Sequence, residues 1–137
     1  SNHGAGDLQD QMVDGAPLYT HLASRLAPLA AARVGDSGVS SLGIVAGATW
    51  PDDAKSLRAV LPYAPFLVPG FGAQGAGAEM ATTGLLRGTS GWEGGVVNST
   101  RGLIFPKTAV NATTLADWHV AIDSTIAENT AILNATF

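Results

Sequence analysis

The sequence predicts an α/β fold of parallel strands, and an incomplete one. Short, continuously apolar runs alternate with stretches of helical periodicity. Each run is followed by a turn rich in glycine or polar residues, and only three such runs occur in 137 residues. A continuously apolar strand is covered on both faces, as in parallel sheets flanked by helices. Alternation of strand and helix implies right-handed crossovers, which fit open sheets and barrels alike. Three strands alone would leave two bare edges and a half-covered face. A barrel of this type takes eight strands and about 250 residues. The pattern therefore reads as part of a barrel whose N-terminal half is missing.

From Pro17 to Arg33, Leu18, Leu22, Leu26 and Leu29 recur at the spacing that lines one face of a helix. Pro28 should kink or end it. Leu42 to Ala48 is the first apolar run and predicts a strand. Pro51-Asp52-Asp53 then opens a second helix, with proline where the missing N–H costs nothing and acids where the dipole favours them. Its buried stripe is Leu57, Val60 and Leu61. Pro65 to Val68 and Gly95 to Ser99 are the other two strands. Between them Ala76 to Leu86 reads weakly as helix and Gly88 to Gly95 as a glycine-rich loop. At the end Thr113 or Thr114 caps a helix whose buried face should be Leu115, Trp118, Ile122, Ile126 and Leu133.

Composition narrows the partners. Charged residues make up 13%, against about 25% in an average soluble domain, so an unusually large share of the surface is destined for burial, and the missing wall is a natural place for it. The formal net charge is -4, and the seven Lys and Arg are scattered, which argues against a nucleic-acid-binding face. No apolar run approaches the roughly 20 residues that span a bilayer, and the first residues lack the regions of a signal peptide. A soluble, cytoplasmic chain is expected. Without cysteine, disulfides and thiolate metal sites are excluded. His3, His21 and His119 are too dispersed for a metal site. No Gly-x-Ser-x-Gly elbow supports a Ser-His-Asp triad. The sequons at Asn98, Asn111 and Asn134 read as chance in a Thr- and Ala-rich sequence, and Asp52-Asp53 as a helix start.

Chemistry concentrates at two strand ends. Pro69-Gly70-Phe71-Gly72-Ala73-Gln74-Gly75-Ala76-Gly77 follows the second strand, and its glycines let backbone N–H groups approach an anion. Gly70-x-Gly72-x-x-Gly75 also matches a dinucleotide fingerprint. That reading needs an acid at the end of the next strand; Glu93 has the right separation but precedes it. Instead the next strand ends in Asn98-Ser99-Thr100-Arg101-Gly102, which brings a guanidinium to the same edge as the glutamine loop. A guanidinium fork matches phosphate oxygens. In eight-stranded barrels the loops after the seventh and eighth strands are the recurrent phosphate site. The loop chemistry by itself supports a phosphate-binding parallel α/β fold; with the incomplete strand pattern, the expected fold is the C-terminal half of a (β/α)8 TIM barrel, residues 1–137 being the C-terminal portion of one domain.

Phe66 to Gly75, followed by Val96-Val97-Asn98-Ser99-Thr100-Arg101-Gly102, resembles the closing signature of the orotidine 5'-phosphate decarboxylases, particularly a bacterial branch. Ala46-Gly47-Ala48-Thr49-Trp50-Pro51 resembles that branch's sixth strand end. Ser1-Asn2, Asp7-Leu8-Gln9-Asp10 and Asp14-Gly15-x-x-Leu18-Tyr19 resemble the segment leaving its fifth strand. The similarity runs from Ser1 to about Phe105, and only the last helix is generic.

The resemblance implies decarboxylation of orotidine 5'-phosphate to uridine 5'-phosphate and CO2, a step of pyrimidine biosynthesis, without metal or organic cofactor. It implies that Gln74, with the adjoining Gly75, bridges phosphate and pyrimidine, that Arg101 and the Gly102 amide bind phosphate, and that Ser1 contacts the pyrimidine amide edge, Asn2 having the weaker claim. It also implies a homodimer and an alternating Lys-Asp-Lys-Asp network on other strands. Lys55 and Lys107 match no such motif, so no catalytic residue is expected in this chain, which alone should be inactive. Two alternatives stay open: another phosphate-binding barrel lyase or aldolase, and a non-catalytic barrel fragment.

Overall fold

A computed structural model describes residues 3–72 and 74–137 of the chain. In order they form α1 (Gly6–Gln9), β1 (Met12–Val13), β2 (Ala16–Pro17), α2 (Leu18–Ala31), β3 (Ile44–Val45), α3 (Pro51–Val60) and β4 (Phe66–Pro69). Then follow α4 (Ala78–Thr82), β5 (Leu86–Arg87), β6 (Trp92–Glu93), β7 (Gly95–Asn98), α5 (Thr100–Ile104) and α6 (Leu115–Asn134). The three predicted strands are β3, β4 and β7, and they form one parallel sheet in the order β3-β4-β7. The ladder runs past β3, with Ala46 N–H donating to Leu67 C=O at 2.9 Å and Ala48 N–H to Pro69 C=O at 2.8 Å. This is an open segment of parallel α/β barrel wall.

Side chains on successive strand residues point to opposite faces, and here the two faces differ sharply. Phe66 and Val68 are 1% and 2% exposed and join Ala46, Ala48, Ala54 and Leu61 in the core under the helices. On the other face Val45, Leu67 and Val96, neighbours in register across all three strands, are 65%, 43% and 67% exposed. That bare apolar row is the lumen side of the wall. The low charge content of the sequence is thus expressed as an uncovered sheet face.

Two predicted helical stripes are offset in the structure. In α2 the buried residues are Ala23 and Ala30, with Leu26 and Ala27 partly buried, while Leu22 and Leu29 are exposed. The reason is a hollow of about 450 Å³ along the free edge of β3, into which Leu18, Leu22 and Leu26 face. The leucine stripe is real, but the space it addresses is unfilled. Pro28 does not end α2 at once; it sits in the last turn, and the helix stops at Ala31. In α6 only Ala121 is buried, Trp118, Ile122 and Leu133 are half-buried, and Leu115 and Ile126 are exposed. The helix packs on α4 and α5 along a narrower strip than the periodicity suggests.

Two hairpins and a short helix after β7 were not predicted. Asp14 and Gly15, both at positive φ (47° and 84°), join β1 to β2 in a two-residue hairpin, the geometry that Asp-Gly favours. The glycine-rich stretch before β7 forms the β5–β6 hairpin, whose Arg87 lies over the rings of Trp92 and Phe137. Five residues after β7 form α5 rather than an irregular loop.

At the amino ends of the strands, Arg58 ties the layers together. Its guanidinium donates to the carbonyls of Gly84 (2.8 Å), Leu61 (3.0 Å), Ala64 (2.7 Å) and Gly94 (2.8 Å), and more weakly to Pro62. The same group stacks 3.8 Å from the Phe66 ring centroid, and burial pulls it below the ordinary arginine value. Close approach of β7 to this cluster needs Gly95, where a Cβ would meet Phe66 O at 2.5 Å.

Replacing Arg58 with Met should lower stability in urea unfolding by at least about 3 kcal/mol, because several buried carbonyls lose their donor. Lys should not restore it, since one ammonium cannot reach a fan of acceptors suited to the planar fork. A second expectation concerns α6, whose Thr114 and Asp117 form a reciprocal capping box. The Thr114 hydroxyl is the largest of the hydrogen bonds that hold the Asp117 carboxyl below the ordinary aspartate value. A depressed native value stabilises above the unfolded-state value, and the gain is lost as pH falls through the native one. Thr114→Ala should cost about 1 kcal/mol near neutral pH and flatten that acid-side slope in urea midpoints measured across a pH series.

Candidate phosphate-binding site

Parallel pairing sets the geometry of the site. Register matches Pro69 with Asn98, so β4 and β7 end side by side and their following loops share one edge of the sheet. After β4 the chain turns at Gly70 (φ 109°) and Gly72 (φ 72°), both in the region that only glycine adopts without strain. Phe71 anchors the turn by burial and by a bridge to Ala76. Gly72 N–H donates to Ala76 C=O at 3.0 Å and Gly75 N–H to Gly72 C=O at 2.9 Å, closing a compact loop. After β7 the Thr100 hydroxyl donates to the Asn98 side chain at 2.8 Å, and α5 begins at once.

The two loops enclose a cavity of about 100 Å³ lined by Gln74, Arg101, Phe71, Asn98, Ser99 and Thr100, with Pro69 and Gly70 at its base. Gln74 and Arg101, picked from the sequence as one grip, are thus brought together from different strand ends. Both are exposed, and among the described residues no hydrogen bond or ion pair engages the Arg101 side chain. A cation without a carboxylate beside it, on a cavity that the Gln74 and Asn98 amides also line, suits a small oxyanion. Gly75 and Gly102 are backbone neighbours of these side chains and do not line the cavity. Ser1 and Asn2 lie outside the described residues, as does Ala73.

The dinucleotide alternative finds no support in the geometry. Glu93 is in β6, before β7, with its carboxylate packed on Gly88 rather than at the carboxyl end of the sheet. Among the described residues no group of three or more His, Cys, Asp or Glu could hold a metal ion. His21 contacts Val13 C=O at 2.6 Å and His119 lies against Trp118. No described helix is long and apolar enough to cross a membrane.

Sequence reasoning missed two features near this edge. Asp53 does more than begin α3: its carboxylate accepts from the Tyr19 hydroxyl at 2.9 Å, tying the start of α2 to the start of α3. Burial, then the hydrogen bond to Asp53, raises the Tyr19 phenol above its ordinary value. Ser99 was quoted only as part of a motif, yet its hydroxyl donates across to Phe71 C=O at 3.2 Å, linking the two loops. The Tyr19–Asp53 contact spans 34 positions and the Ser99–Phe71 contact 28, so no local pattern marks them.

No family model matches the chain. Among curated proteins it is 39% identical over 105 residues to an orotidine 5'-phosphate decarboxylase of Rhodopirellula baltica and 45% identical over 108 residues to one of Halorubrum lacusprofundi. By sequence and fold, the chain is similar to a segment of the orotidine 5'-phosphate decarboxylases. Each of those alignments covers 77% of this chain and 34% and 37% of the relative, so the chain spans about a third of the length of the curated relatives it matches. Among solved structures, a putative orotidine-monophosphate decarboxylase from Toxoplasma gondii superposes with a TM-score of 0.66 at 24% identity, covering 97% of this chain and 49% of that one. UMP synthase of Leishmania donovani superposes with a TM-score of 0.62 at 32% identity, covering 97% and 26%. These overlaps bear out the predicted fold: a segment of an orotidine 5'-phosphate decarboxylase-type TIM barrel.

Proposed function

We propose that this chain supplies the phosphate-gripping edge of a barrel that decarboxylates orotidine 5'-phosphate to uridine 5'-phosphate. The observation that carries the reading is the meeting of Gln74 and Arg101 on one small cavity at the carboxyl ends of β4 and β7. In this reading the Arg101 guanidinium and the Gly102 amide hold the phosphate, and Gln74, set by Gly75, spans phosphate and pyrimidine. Ser1 takes the amide edge of the ring. The acid-base residues come from strands outside this segment, so the grip contributes through binding energy: holding the non-reacting phosphate orients and encloses the reacting ring.

The partner that completes the site is the N-terminal half of the same barrel. The bare row of Val45, Leu67 and Val96 and the hollow beside β3 are what such a half would cover. A homodimer in the cytoplasm, as the family resemblance implies, completes the proposal.

The experiment is to mix the chain with a matching N-terminal half and follow loss of orotidylate absorbance. Turnover supports the proposal. Binding without turnover points to another phosphate-binding barrel enzyme, and neither points to a non-catalytic fragment. In the complete enzyme Arg101→Ala should lower kcat/KM at least about tenfold, the equivalent of one charge-assisted bond or more. Unchanged steady-state kinetics for that variant would sink the assignment.

A further inference from the structure

Ser99 stands at the N-cap of α5, where a serine hydroxyl ordinarily accepts from a backbone N–H of the first turn. Here it makes no capping bond. The hydroxyl instead donates to Phe71 C=O in the loop after β4. Its surroundings are narrow on both sides. A Cβ added at Gly102 would come within 2.8 Å of Ser99 Oγ, and one added at Gly72 within 3.8 Å of it. The hydroxyl is therefore seated between the backbones of the two loops, touching the turn that carries Arg101 on one side and the turn that leads to Gln74 on the other. Phe71 is itself buried at 8% exposure, so the acceptor is fixed to the core.

We infer that Ser99 is a positioning residue that sets the spacing between the two anion-binding loops. The inference rests on the phosphate reading above. Strand pairing ends at Pro69 and Asn98, and beyond it each loop follows its own turn. Among the described residues the Ser99–Phe71 bond is the side-chain hydrogen bond that joins them. An anion gripped from both sides gains from both contacts only if their separation matches its size. Loss of the hydroxyl lets Gln74 and Arg101 drift independently, so affinity falls without loss of any group that touches the anion.

The test is calorimetric titration of inorganic phosphate into the full 137-residue chain and into Arg101→Ala, Ser99→Ala and Ser99→Thr variants, with thermal unfolding of each. Ser99→Ala should weaken phosphate binding about threefold to tenfold, the span of one neutral hydrogen bond. Its unfolding midpoint should stay within about 2 °C of the parent, and Thr, which keeps the hydroxyl, should restore affinity to within about twofold. Ser99→Ala binding as the parent does, while Arg101→Ala does not bind, overturns the inference and leaves the phosphate site standing. A parent chain that fails to take phosphate overturns both. Weakening in Thr as severe as in Ala, or tracking a lowered midpoint, assigns Ser99 to stability alone and also overturns the inference. Should Ser99→Ala fail to fold, Ser99→Cys, of similar size with a weak donor, gives the same comparison.

Discussion

The fold depends on one half-buried guanidinium. Arg58 gathers carbonyls from the end of α3, the approach to β4, the end of α4 and the residue before β7. Those segments are the amino ends of the wall, where the chain enters each strand after a crossover. Buried carbonyls without donors cost about 1–3 kcal/mol each, and short loops offer few backbone donors of their own. A single planar fork satisfies several at once. The Phe66 ring beneath it is the core's largest fully buried side chain, so the polar tie and the apolar core share one contact. The carboxyl ends of the strands lie away from this tie and carry the loops proposed to bind the anion.

How much of this was legible follows from the range of each interaction. Strands β3, β4 and β7 were readable because an apolar run between turn formers is a local signal, and so was the Thr114 cap. The parallel order followed from alternation. Helix faces were read less well. Leu18, Leu22 and Leu26 of α2 line the 450 Å³ hollow, whereas the residues of the helix that are buried are Ala23 and Ala30, which periodicity counts as weakly apolar. The Asp14-Gly15 hairpin carried a local signal that was passed over. Arg58, the Tyr19–Asp53 pair and Ser99 had no local signal, because their partners lie 26 to 36 positions away or depend on a crossover being complete.

The site divides the same way. Gln74 and Arg101 were visible because barrel topology fixes which strand ends are neighbours, and the register of Pro69 with Asn98 realises that rule. The hydroxyl that spaces them was not visible, since a serine after a strand is most simply a cap. The bare row of Val45, Leu67 and Val96 explains why composition looked too apolar for the size of the chain. In the proposed complete barrel these residues face a closed lumen, of which this segment presents one side.

The contrast between Arg58 and Arg101 sets a structural arginine beside the one proposed to grip the anion. Both lie in helices near strand ends, Arg58 in the last turn of α3 and Arg101 in the first turn of α5, and only Arg101 stands in a recognisable sequence motif. Arg58 has each of its nitrogens donating to a backbone carbonyl and a ring against its face, so the group is committed to the fold. Arg101 is exposed and, among the described residues, without a partner, yet it borders a cavity with Gln74. Guanidinium donors in water already have hydrogen bonds, so exposure alone does not mark a site. In this reading what marks it is the convergence on the same small volume of the Gln74 amide from one loop and the Asn98 amide from the other, with a serine that ties the loops rather than capping its own helix. An anion entering that volume exchanges water for several fixed donors at once, and preorganisation of that kind is what turns a surface cation into a grip.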